Sequence, residues 1–100
     1  MQTFLIVKVQ RNEGDFLVSK LLVRPMRPGA KPEWISRALV LDRIKRGLAS
    51  FYTLPPDGHG SDKFGPKARL VDIDGSRYLR VDGAREPEDD LGSIPTEPAG

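Results

Sequence analysis

Two arginines and a tyrosine, Arg69, Arg80 and Tyr78, are the residues of this chain whose types and spacing are best suited to chemistry. Asp74-Gly75 has the composition of a two-residue hairpin turn. A hairpin closed there pairs Asp72 with Arg77, Val71 with Tyr78, Leu70 with Leu79, Arg69 with Arg80 and Ala68 with Val81. Leu70, Leu79, Ala68 and Val81 then share one face, and Val71, Tyr78, Ile73, Arg69 and Arg80 share the other. Like charges directly opposite on a sheet cost up to about 1 kcal/mol, so an anion must sit over the arginines or they must splay into water. Guanidinium groups bind phosphate bidentately and an aromatic ring stacks on an unpaired base, which makes the trio a candidate nucleic-acid platform that Lys67, Arg24 and Arg27 extend into a basic strip. The competing anion is internal: Asp89 and Asp90 return to pair with the arginines. That internal latch is the leading expectation.

A second basic cluster, Arg43, Lys45 and Arg46, lies near the end of an expected helix, where the helix dipole favours cations. It reads first as a solvated helix end and second as an addition to a nucleic-acid surface. His59, the one histidine, stands in Asp57-x-His59-x-x-Asp62, a conceivable oxygen-and-imidazole metal site. With no fourth ligand it reads as a solvated turn, so no metal and no cofactor are expected. Asp72 and Asp74 are explained as a cross-strand partner and a turn residue. Ser19, Ser36, Ser50 and Ser61 lack the context of an activated nucleophile, and no glycine pattern resembles a phosphate loop. No catalytic residue is assigned, and the chain is not expected to be an enzyme. Trp34, beside a proline-rich stretch, is the aromatic to suspect of contacting a partner, although core packing is its ordinary use.

The elements that must position these residues follow from the pattern. Thr3 to Val9 and Phe16 to Arg24 are β-rich and separated by turn-forming Asn12-Glu13-Gly14-Asp15, which predicts a hairpin. Prolines 25, 28 and 32 make the next stretch a loop or an edge. Val40, Leu41, Ile44 and Leu48 recur at helical spacing, with Ser36 to cap the start and Gly47 to end the helix in a left-handed conformation. Ala49 to Leu54 reads as a third strand, and Pro55 to Pro66 as the long loop. The fold class is therefore α+β: an antiparallel sheet of four to five strands built from two hairpins, with one helix packed on it.

One hundred residues, 38% of them hydrophobic, can bury one core and not two, so a single domain over residues 1–95 with a disordered end at 96–100 is expected. With no cysteine there is no disulfide framework and no thiolate chemistry, which suits a reducing cytoplasm. The first apolar run is broken by Lys8, far short of a membrane span. The net charge of +2 hides a split: residues 1–81 carry 15 Lys and Arg against 8 acids, +7, and residues 82–100 carry one Arg against 6 acids, −5. Either a basic surface meets a polyanion or the acidic tail neutralises its own domain.

The helix end Ile44-Lys-Arg-Gly47, the strand Phe51-Tyr52-Thr53, the strand Tyr78-Leu79-Arg80 and the ending Asp90-Leu91 with Ile94-Pro95 resemble a family of small bacterial domains catalogued as domain of unknown function 3892. Val81 stands where that family tends to have Thr, and Asp90 where it tends to have Asn. The resemblance implies an α+β domain whose tail is ordered to Pro95, with Leu91 and Ile94 docked. It implies no activity.

The function expected from these readings is non-enzymatic binding by an accessory or regulatory protein of bacterial or phage origin. A protein-protein interaction module is the first form of it, with an unknown protein partner engaged by the tail or the Trp34 loop. The alternative is a nucleic-acid binder using Arg69, Arg80, Tyr78, Arg43 and Arg46; a metal-dependent enzyme at the His59 loop ranks third. A homodimer through an unpaired edge strand is a further expectation.

Overall fold

Ten residues, Gln2–Arg11, form β1, the strand on which the rest of the domain is assembled. The computed structural model describes residues 2–11, 16–54, 65–82, 84–92 and 94–98. On one edge of β1 lies antiparallel β2 (Val18–Pro25), followed by antiparallel β3 (Glu33–Ser36). The other edge is shared by two parallel strands: β4 (Ala49–Thr53) runs beside Gln2–Ile6, and β7 (Thr96–Pro98) beside Val9–Arg11.

Two register shifts decide what faces the core. Ile6 pairs with Val23 and Lys8 with Leu22, so Val7 is the extra residue of a bulge, and Val9 rather than Lys8 continues the core face begun by Phe4 and Ile6. A second shift at Ser19 places Arg11 opposite buried Val18. Helix α1 (Arg37–Lys45) covers this face; Val40 is buried, with Leu41 and Ile44 packed against the core. Its ends form as expected: the Ser36 hydroxyl accepts from the Leu39 N–H at 3.2 Å, and Gly47 has φ +69°. Leu48, assigned to the same apolar stripe, lies past the helix end and is exposed.

The hairpin of β5 (Arg69–Ile73) and β6 (Ser76–Arg80) has the expected register at every pair from Arg69–Arg80 to Ile73–Ser76. Asp74 and Gly75 both have positive φ, +50° and +83°, as a type I′ turn requires. Leu79 and Ala68 enter the core, and Phe4 and Phe51 stack at 5.2 Å.

One helix on a small sheet makes the fold α+β, as expected, but the sheet differs in detail. It is mixed rather than antiparallel, because α1 carries the chain back so that β4 enters alongside β1 in the same direction. The second hairpin is a separate two-stranded sheet, joined to β4 by the Ala68 N–H to the Phe51 carbonyl at 2.8 Å. β3 falls within a stretch too short and too close to three prolines to show a pattern. The tail continues past Pro95: Thr96–Pro98, assigned to a disordered end, is β7, which fills the edge of β1 that β4 leaves open. Among the described residues no helix is long and apolar enough to cross a membrane.

Candidate functional site

The acidic tail is anchored by one carboxylate. Asp89 is buried with its side chain fully out of solvent, and four donors converge on it. Oδ1 accepts from the Leu79 N–H at 2.8 Å and Arg37 Nη2 at 3.2 Å; Oδ2 accepts from Arg37 Nε at 2.7 Å and the Val18 N–H at 3.0 Å. The backbone of Asp89 is held as well, its N–H donating to the Phe16 carbonyl at 2.8 Å and its carbonyl accepting from Arg11 Nη2 at 2.9 Å. One residue thus joins the end of β1, the start of β2, the start of α1 and β6. A buried charge is tolerated only when paired and fully hydrogen-bonded, and this one is both.

Beside it, Arg80 turns into the tail. Its Nε and Nη2 donate to the two Asp82 oxygens at 2.7 and 3.1 Å, Nη1 to the Glu88 carbonyl at 3.0 Å, and Nη2 also reaches Asp90 at 3.4 Å. The Arg80 hydrogen bond holds the Asp82 carboxyl below the usual carboxylate range, and Asp82 in turn raises Arg80. Leu91 and Ile94 are buried in the common core, so the tail is an element of the fold.

The residues singled out in sequence therefore part company. Arg80 is engaged internally, with Asp90 as one of its anions. Asp89 goes to Arg37, which sequence spacing did not connect with it. Arg69, opposite Arg80, is exposed and makes no ion pair among the described residues; Tyr78 is half-buried across from Val71. Arg77 pairs with Asp72 at 2.8 Å, as the register implied, and holds that carboxyl below its ordinary range. Arg43 lies over the Phe4 ring, 5.9 Å from its centroid, and Arg46 makes an exposed pair with Asp42 at 3.6 Å. Trp34 sits on β3 opposite Leu22, 39% exposed rather than in the core. His59, Asp57 and Asp62 lie outside the described residues, among which no metal-binding cluster occurs.

The tail is fixed at the C-terminal end of β1, away from the cations at its N-terminal end, where among the described residues the one ion pair is Arg46–Asp42. The Leu48 carbonyl accepts from the Gln2 N–H at 3.2 Å and the Met26 N–H donates to the Thr3 carbonyl at 2.9 Å, so consecutive residues of β1 draw the helix end and the proline loop together. Arg24, Arg27, Arg43 and Arg46 gather there, flanked by exposed Met26 and Leu48. Sequence reading missed these two apolar residues; their signal was an apolar side chain just beyond an element boundary, beside arginines. At the other end, Phe16 is exposed and lines a groove with Glu86, Pro87 and Glu88.

No protein-family model, no curated protein and no solved structure matches the chain.

Proposed function

We propose that the protein is a non-enzymatic binding module of a bacterium or phage, working in the cytoplasm, whose cationic end engages an acidic protein partner. The observation that carries this reading is the combination at one end of β1: Arg27, Arg43 and Arg46 beside the exposed side chains of Met26 and Leu48. Arginine with uncovered apolar area is the composition of an interface core, and carboxylates on the partner would complement its charge. Internal docking of the tail supports the reading, because its carboxylates are spent on Arg80 and Arg37 and, at the far end, Arg46 has only an exposed pair with Asp42. A nucleic-acid platform on the second hairpin loses Arg80 to the tail, and Met26 and Leu48 offer no ring on which a base could stack.

The test is capture from the native host with the wild-type protein and with Arg27→Glu/Arg46→Glu as bait. An acidic protein retained by the first, lost with the second and released by salt is the expected result. Equal retention by both baits overturns the reading, and binding of single-stranded or duplex DNA at low salt in place of a protein transfers the surface to nucleic acid.

A further inference from the structure

The end of the molecule opposite the arginines carries a second surface. Phe16 is 66% exposed, an unusual position for a phenylalanine next to a core strand, and with Pro87 it lines a groove of about 450 Å³. Among the described residues Glu86 and Glu88 complete the lining; the Glu86 side chain, 3.8 Å from Arg80 Nη2, is still 62% exposed. The walls are fixed from behind. The Phe16 carbonyl is hydrogen-bonded by the Asp89 N–H at 2.8 Å, and the Glu88 carbonyl by Arg80 at 3.0 Å, so the buried anchor of the tail also positions the groove. A preformed apolar groove lined by Phe16 and Pro87 and bordered by two glutamates fits an apolar side chain carried beside a cation.

The chain presents that combination at its other end, where Met26 and Leu48, 42% and 52% exposed, stand beside Arg27 and Arg46. The two surfaces lie at opposite ends of β1, which at about 3.3 Å per residue separates them by roughly 30 Å. One copy therefore cannot close the contact on itself, whereas two copies can. We infer that the Phe16 groove is the docking site for the cationic end of a second copy of this chain, a head-to-tail contact that leaves one end of each kind free. Such a contact is heterologous and propagates into short chains or closes into a ring. The inference rests on the cationic end being a binding surface.

Sedimentation velocity over a concentration series reaching millimolar, at low and at high salt, tests it with two variants. Phe16→Ala disables the groove, and Arg27→Glu/Arg46→Glu disables the cationic end; both change exposed side chains, and circular dichroism verifies that they fold. The wild type is expected to associate with concentration and to dissociate with salt, and each variant alone to remain monomeric. Mixed one to one, the variants retain one good surface of each kind and should form a heterodimer and nothing larger. A wild type that stays monomeric, variants that associate as the wild type does, or a mixture that forms no heterodimer would each overturn the proposal. Phe16→Ala leaves the cationic end intact, so host capture by that variant separates failure of self-association from failure of partner binding.

Discussion

Asp89 and Arg37 stand 52 residues apart in sequence and are joined by two hydrogen bonds, 2.7 and 3.2 Å, around a carboxylate that sees no solvent. Arg37 opens α1, a position where the helix dipole disfavours a cation, so its charge needs this anion. The pair makes the C-terminal segment part of the same cooperative unit as the helix and β2.

Asp89→Asn keeps the shape and removes the charge. The amide has one accepting oxygen where the carboxylate had two, so its NH2 must face either the Leu79 or the Val18 N–H, and Arg37 loses its counter-charge. Removing one partner of a buried pair typically costs 3–5 kcal/mol, and about 3 kcal/mol is expected here by urea unfolding. If the loss is below about 1 kcal/mol, the carboxylate is not the anchor described.

The Arg80–Asp82 contact gives the protein an acid-side dependence. Asp82 has a folded pKa below its unfolded value, near 4 for an ordinary aspartate, so its contribution is complete above about pH 4–5. It is lost as the pH falls through the lower folded value. Thermal melts from neutral pH down to pH 2 should therefore show a shallower decline for Asp82→Asn than for the wild type. Parallel curves would mean that Asp82 contributes nothing pH-dependent.

How much of this was legible in the sequence depends on distance along the chain. The β5–β6 register followed from the two-residue turn Asp74-Gly75, and the helix ends from Ser36 and Gly47; each is settled within a few residues. The direction of β4 is set by where the helix delivers it, and its own five residues carry no mark of that. Arg37–Asp89 has no local signature at all: the partners are 52 residues apart, and nothing near either marks the other. Phe16 opens the β-rich run that extends to Arg24, yet β2 begins two residues later and leaves the ring outside.

Leu91 tests whether the tail contributes to stability through its apolar side chains. It is 4% exposed within the core shared with Leu79 and Ile94, so Leu91→Ala removes buried methyl groups and leaves a cavity. A loss of about 2–4 kcal/mol is expected in the urea midpoint at unchanged slope. A loss within about 0.5 kcal/mol, the level of a surface change, would show the tail to be a dispensable cover.

Arg80 and Asp89 are both buried ions with several partners, yet removing them should have unequal consequences. Arg80→Met keeps the apolar stem and deletes the guanidinium. The carboxylates it leaves, Asp82, Glu86 and Asp90, are 48, 62 and 44% exposed and remain hydrated, so only the Glu88 carbonyl loses a donor without ready replacement. The expected cost is about 1 kcal/mol, the ordinary worth of one hydrogen bond. Asp89, by contrast, leaves behind Leu79 and Val18 N–H groups inside the fold and an arginine tethered beside them. The order of stability measured by urea unfolding should be wild type, then Arg80→Met, then Asp89→Asn. If Arg80→Met is the less stable of the two variants, the exposure of the partners does not govern the cost, and the tail is held mainly through Arg80.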